Sequence, residues 1–164
     1  MRILFFLHDS FFGSDRLSEL GWIDSFANAV SASGHEVTRF DSLCHRITDF
    51  EIIHVFSSSD PETWSVMKNT GTRVVVTPAL SAPSNESKPF LSIVVRLIRS
   101  GYQRRWPPID QDFFWKVPDR YFVISTKWKS FLEKTKGVSA AKTIVLSADP
   151  QKAAHEACRA YETA

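Results

Sequence analysis

Apolar and polar residues along this chain form two alternating kinds of segment. The first kind is short and almost continuously apolar, which is the pattern of strands buried on both faces of a parallel sheet. Six segments of this kind are predicted as strands: 2–7, 36–40, 51–56, 73–77, 121–125 and 142–146. The second kind has apolar residues every three or four positions, which is the pattern of an amphipathic helix.

Strands that alternate with helices in this way predict an α/β fold with right-handed crossovers. We therefore expect a Rossmann-like three-layer sandwich around a mainly parallel sheet of six or seven strands. The chain has 164 residues, enough for one domain with its own core. Residues 1–164 are accordingly predicted to form a single domain.

The first helix is predicted to begin at a cap, Ser14 or Asp15, and to end at Gly34. Serine and aspartate accept hydrogen bonds from the first free N–H groups of a helix. Glycine suits the left-handed residue that often follows the last turn. The predicted inward face comprises Leu17, Leu20, Ile23, Phe26, Ala27 and Val30.

Four more helices are predicted further along the chain, which makes five in all. One begins with Asp60 as cap and Pro61 as first helical residue. Another follows the polar loop 81–87 and covers 90–99, and a third covers 126–136 with four lysines outward. The last begins at residues 149–150. The predicted inward residues of the second, fourth and fifth helices are Trp64, Met67, Trp128, Phe131, Leu132, Ala153, Ala154, Ala157 and Tyr161.

Composition narrows the class of protein. Apolar residues make up 43% and aromatic residues 13%, which is a globular composition, and the net charge of +2 gives no argument for nucleic acid. Cys44 and Cys158 form no metal or redox motif, so we interpret them as reduced thiols, with one disulfide as the open alternative. The five histidines lack zinc-ligand spacing, so no metal is expected.

No apolar run reaches the roughly 20 residues that a membrane span needs. The first apolar run meets His8 and Asp9 too early for a signal peptide. We therefore expect a cytoplasmic protein, with a position at the inner membrane surface as a further hypothesis.

Five segments in order resemble the amino-terminal domain of a GT-B glycosyltransferase of the group-1 family, whose members use sugar nucleotides. They are 2–8, 34–37, 49–55, 119–125 and 142–149. The resemblance covers essentially the whole chain and depends on the order and spacing of the segments. It departs from the family at Phe12, where a second glycine is frequent, and at Phe56, where a second histidine is usual.

The resemblance implies that this chain is the acceptor-binding half of such an enzyme. The donor-binding second domain and its pair of glutamates are absent from the sequence, so we expect the chain alone to be inactive. It would be either an excised domain or a stand-alone protein without the donor half. The implied partners are that domain or a separate subunit and an acceptor sugar or lipid-linked acceptor. No cofactor is implied beyond the nucleotide sugar as donor substrate.

The loop after the first strand is the candidate for diphosphate or substrate binding. Backbone N–H groups of Phe12, Gly13 and Ser14 can approach an anion at the start of the helix, and Gly13 permits a close approach. His8 and Asp9 follow the strand at the same edge, where they can contact substrate. The alternative interpretation is a glycine that only makes a turn and a histidine that only satisfies its own hydrogen bonds. His54 is expected to pack and bond to a neighbouring loop.

Pro78, Ser81 and Asn85 belong to the loop after the fourth strand, which the resemblance makes the acceptor loop. Family members often have a catalytic or acceptor-orienting histidine at this point. Here the residues 77–79 are threonine, proline and alanine, and proline and alanine transfer no proton. No catalytic residue is assigned.

A basic and aromatic patch follows at Arg96, Arg99, Arg104, Arg105 and Trp106. Together with the apolar helix 90–99, it can contact an anionic membrane surface or a partner. The competing interpretation, which we favour, is a core helix with a solvated basic end.

A second functional class shares the same sheet, namely a non-catalytic binding or regulatory module such as a receiver or flavodoxin-like domain. Asp9, Thr77 and Lys127 follow strands one, four and five, as the functional residues of a receiver do. The third strand, however, leads into 57–59, which are serines, where a receiver has its phosphorylated aspartate.

Overall fold

The computed structural model describes residues 1–7, 16–41, 44–56, 61–78 and 115–163. These residues contain six strands. They are β1 (Arg2–Leu7), β2 (Glu36–Arg39), β3 (Ile52–Phe56), β4 (Arg73–Thr77), β5 (Arg120–Val123) and β6 (Thr143–Val145). All six lie in one parallel sheet in the order β2-β1-β3-β4-β5-β6. The predicted single-domain α/β fold is therefore confirmed, with six strands in the sheet.

The same residues contain four helices and two short 3₁₀ turns. The helices are α1 (Arg16–Ala32), α2 (Pro61–Lys68), α3 (Thr126–Thr135) and α4 (Pro150–Thr163). The 3₁₀ turns are Ile47–Asp49 and Ala140–Lys142. The predicted helix 90–99 and the predicted caps at Ser14, Asp15 and Asp60 lie outside the described residues.

Alternate residues of each strand contact different helix layers. One layer is formed by α1 and α4, which bury apolar side chains such as Phe26 and Ala157 against Phe5 and Phe122 of the sheet. The other is formed by α2 and α3, which bury Trp64, Met67, Trp128 and Leu132 against the opposite face. The result is the expected three-layer sandwich, because both faces of the sheet are apolar and both need cover.

The α2–α3 layer carries a cluster of aromatic rings. Trp64 meets Trp115 edge to face at 5.1 Å and Tyr121 at 6.1 Å. Trp128 meets Phe131 at 5.5 Å, and Phe131 is only partly buried rather than fully inward as predicted. The α1–α4 layer has Trp22, whose indole stacks on Phe26 at 5.0 Å. Its Nε1–H also donates to the Ala148 carbonyl, at 2.8 Å.

The prediction for the first turn of α1 was wrong at Leu17, which is 84% exposed. Ile23, Phe26 and Val30 are fully buried as predicted, and Ala29 joins them. Leu17 precedes Ile23 by six residues, which at about 100° per residue places it roughly 120° away around the helix. The buried stripe instead passes through the position of Glu19, which is only 9% exposed.

An ion pair at the amino edge of the sheet joins three elements. Lys68, the last residue of α2, places its Nζ 2.7 Å from both carboxylate oxygens of Asp119. The same carboxylate accepts a hydrogen bond from the Val74 N–H of β4 at 2.8 Å, and the Asp119 N–H donates to the Val74 carbonyl. The start of β5 is thereby fixed against β4 and α2.

Two glycines in and beside α1 should respond oppositely to alanine. Gly34 has φ +91°, a conformation that costs a residue with Cβ about 1–2 kcal/mol. Gly21 lies inside the helix, and an added Cβ would meet nothing within 4 Å. We expect Gly34→Ala to lower the free energy of unfolding by about 1 kcal/mol and Gly21→Ala to raise it by about 0.5–1 kcal/mol. Urea unfolding measures both; equal effects would contradict the assigned conformations.

Candidate functional site

The strand order reverses direction between β1 and β3, which are neighbours and the second and third strands of the sheet counted from β2. The chain proceeds from β1 outward to β2 and then returns to the other side of β1 for β3. Helices that follow these two strands cover different faces, which leaves a crevice beyond the carboxyl ends of the strands. Ligands of open α/β sheets bind at this place, so it is the candidate site.

Three strands end side by side at this edge. Leu7 of β1 is in register with Phe56 of β3, and Phe56 is in register with Thr77 of β4. Pro78 follows Thr77 directly and is buried. Pro78 is the one predicted site residue that the structure describes.

The other predicted site residues lie outside the described part of the chain. They are His8, Asp9, Phe12, Gly13 and Ser14 of the first loop, Ser81 and Asn85 of the acceptor loop, and Arg96, Arg99, Arg104, Arg105 and Trp106 of the basic patch. Leu7, the residue before His8, ends β1 at the same edge as Pro78. The site roles of these residues stay predictions.

A chain of three polar side chains leads from this edge into the core. Nδ1 of His54 is 2.6 Å from the Tyr161 hydroxyl oxygen, and Nε2 is 2.7 Å from Oγ1 of Thr77. A neutral imidazole has one N–H donor and one acceptor nitrogen, so either tautomer donates one of these bonds and accepts the other. His54 packs as expected, but its partners lie on β4 and α4 rather than on a loop.

Aromatic rings surround the imidazole. Phe56 stacks on it at 4.3 Å, and Phe5, Phe26 and Phe122 meet it edge to face at 5.2–5.8 Å. Burial in these apolar surroundings lowers the pKa of His54 from 6.5 to about 3 and raises the pKa of Tyr161 well above its ordinary value. Both groups are therefore neutral at physiological pH, where they hold a fixed hydrogen-bond geometry.

Sequence reasoning missed the roles of Thr77 and Tyr161 as partners of His54. The available signal was a histidine at the centre of an apolar strand, since a buried imidazole needs a partner for each nitrogen. The register identifies the position beside His54 as Val75, two residues before Thr77. Tyr161 is 107 residues away in sequence, a distance that no local pattern spans.

Side chains also cap the helices that start near this edge. The Ser125 hydroxyl accepts from the Lys127 N–H at 3.1 Å at the start of α3, and Asp149 accepts from the Lys152 N–H at 2.9 Å at the start of α4. Glu156 accepts from the Ser147 N–H at 2.8 Å and so holds the turn after β6. These bonds satisfy backbone N–H groups in the two turns that bound the edge.

The residues that the structure describes contain no group of three or more His, Cys, Asp or Glu that could hold a metal ion. They also contain no helix of the length and apolarity that crossing a membrane requires. Both cysteines are free thiols, Cys44 exposed and Cys158 buried, so the alternative of a disulfide between them is excluded.

No family model matches the chain, and no curated protein matches it by sequence.

The burial of His54 should make stability depend on pH. Between pH 6.5 and 3, the unfolded chain protonates this histidine while the folded chain keeps it neutral, so stability is lost as the pH falls through this window. We expect the free energy of unfolding of the native chain, measured relative to that of His54→Phe, to fall by about 2 kcal/mol from pH 7.5 to 5. Urea unfolding at both pH values measures this difference.

Tyr161→Phe is the matched control, because it removes one hydrogen bond of the ring but keeps the ring buried. It should cost about 1–2 kcal/mol at pH 7.5, and that cost should change little by pH 5. A His54→Phe difference that is the same at both pH values would show that the native imidazole is protonated or solvated.

Proposed function

We propose that this chain is the acceptor-binding half of a sugar-nucleotide-dependent glycosyltransferase. Glycosyl transfer would occur in a cleft between the carboxyl edge of this sheet and a donor-binding domain or subunit. The observation that carries the proposal is the reversal of strand order between β1 and β3 in a chain whose strand segments resemble the GT-B amino-terminal domain in order. Open α/β sheets bind their ligands at such a reversal.

The residues of the resemblance have consistent structural positions. Gly34 makes the turn into β2 with a positive φ, as a glycine-histidine-glutamate-valine turn requires. His54 lies at the centre of β3, Asp119 precedes β5, and Asp149 caps α4. These four residues lie at the turns and strands that the resemblance assigns to them, and this agreement supports the proposal.

The chemistry of glycosyl transfer assigns tasks to the edge. The transition state is oxocarbenium-like, so the enzyme must orient an acceptor hydroxyl and stabilise a departing diphosphate. In this proposal the loop with Gly13 contacts the diphosphate, and the segment after β4, from Pro78 to Asn85, contacts the acceptor. The donor half supplies most of the binding of the nucleotide sugar.

One observation favours a second candidate. The order β2-β1-β3-β4-β5 is the order of flavodoxin-like sheets, which bind flavin mononucleotide at the same reversal. A receiver-type phosphorylation is less well supported, because β3 ends at Phe56 and residues 57–59 are serines. Quenching of flavin fluorescence on titration of FMN with the chain, at micromolar affinity, would favour the flavodoxin-like function over the glycosyltransferase.

Ligand titrations monitored by ¹⁵N NMR test the proposal. The probes are four monosaccharides (glucose, galactose, mannose and N-acetylglucosamine), inorganic pyrophosphate and UDP-glucose. We expect at least one monosaccharide to shift amide signals of Leu7, Thr77 or Ser125 with millimolar affinity. Pyrophosphate should also bind, and UDP-glucose should bind no more tightly than pyrophosphate, because the proposal assigns the rest of the nucleotide sugar to the donor half.

Gly13→Val and Gly21→Ala form a matched pair for these titrations. A side chain at Gly13 blocks close approach of the backbone to the anion, so pyrophosphate binding should weaken about tenfold or more. Gly21 lies in the middle of α1 with open space around it, and its substitution should leave binding unchanged. Micromolar binding of UDP-glucose by the chain alone would contradict the division between the two halves, and absence of any sugar binding would contradict the acceptor role.

A further inference from the structure

The His54 ring connects α4 to the end of β4 through the core of the protein. It contacts the hydroxyl of Tyr161 on one side and the hydroxyl of Thr77 on the other, at 2.6 and 2.7 Å. His54 and Tyr161 are 0% exposed and Thr77 is 2% exposed. The three groups therefore satisfy one another without water.

Apart from the two hydroxyls, the surroundings of the imidazole are apolar. Four phenylalanine rings contact it, and an apolar ring of similar size would pack among them without any need for partners. Burying an imidazole and two hydroxyls costs free energy that their mutual hydrogen bonds only offset. A buried network in which every polar group has a partner also fixes the geometry of its members, because each hydrogen bond has a preferred direction.

The hydrogen bond between His54 and Thr77 lies at the end of β4, where the chain leaves the sheet. Pro78 has no N–H, so the backbone at this point has no donor for a further ladder hydrogen bond. Proline also restricts Thr77 to extended conformations, and the β-branched threonine has few χ1 choices. A hydrogen bond to Oγ1 therefore selects one rotamer of Thr77 and anchors the last residue of β4 to the core, which restrains the backbone that leads into Pro78.

We infer that His54 is a positioning residue for the ligand edge. By holding the Thr77 hydroxyl, it sets the direction in which the chain leaves β4 beside the reversal of strand order. It does not touch the ligand. This inference rests on the proposed function, in which the segment after β4 contacts the acceptor.

The order of the backbone at the end of β4 tests this inference without any ligand. Thr77→Val has the same shape but no hydroxyl, and Thr77→Ser keeps the hydroxyl without the methyl group. In Thr77→Val we expect the amide order parameters of residues 76 and 77 to fall from about 0.85 towards 0.6, and in Thr77→Ser to stay at the native value. Equal order parameters in Thr77→Val and the native chain would overturn the inference.

Tyr161→Phe separates positioning from general stability. It removes the other hydrogen bond of the same ring, so it perturbs the core similarly but leaves the bond between His54 and Thr77. We expect a single Thr77 χ1 rotamer, from three-bond couplings, in the native chain and in Tyr161→Phe. A folded His54→Phe should show rotamer averaging. Averaging in Tyr161→Phe to the same extent would mean that the network acts on stability alone.

The titration with monosaccharides links the geometry to binding. The monosaccharide that binds the native chain should bind Thr77→Val about fivefold or more weakly, while Thr77→Ser and Tyr161→Phe stay within about twofold of native. Unchanged affinity in Thr77→Val would overturn the role of His54 at the ligand edge. If the native chain binds no monosaccharide, the proposed function fails, and the order parameters and Thr77 rotamers still decide whether His54 positions the strand end.

Discussion

All five residues of β3 are buried, with exposed fractions of 0–1%, so this strand lies between two complete layers of side chains. A strand of this kind cannot turn one face to water, and the helices that follow its neighbours must cover both sides. Once α1 and α4 cover one face and α2 and α3 the other, the open parts of the sheet are its ends and outer strands. The requirement to bury β3 on both faces therefore also decides where a ligand can reach the sheet.

The fold could be predicted because its signals are local. Runs of apolar residues predict the strands, and apolar residues three and four positions apart predict the helices. Trp64, Met67 and Ala157 are buried where this spacing places them. The prediction at Leu17 was wrong because it treated all the apolar positions as one face. It ignored how the buried stripe turns around the helix along the seventeen residues of α1. A charged residue, Glu19, occupies the buried position there, and pattern reasoning does not expect a carboxylate in an apolar stripe.

The contacts of the candidate site were harder to predict from the sequence than the fold was, for a physical reason. Its best-defined feature joins a residue of β3 to the end of β4 and to the last turn of α4, and such contacts depend on how helices cross the sheet. A lone histidine in an apolar strand indicates that partners exist without identifying them. Thr77 and Tyr161 are ordinary core residues by pattern, and only the three-dimensional arrangement gives them a shared task.

The tryptophans are unevenly divided between the two helix layers. Trp64, Trp115 and Trp128 belong to the α2–α3 side, while Trp22 is the tryptophan that the described residues place on the α1–α4 side. The intrinsic fluorescence of these four tryptophans is therefore weighted towards one half of the sandwich. Loosening of α4 and its hydrogen bond to His54 would leave most of that emission unchanged, so circular dichroism is the better monitor of that layer.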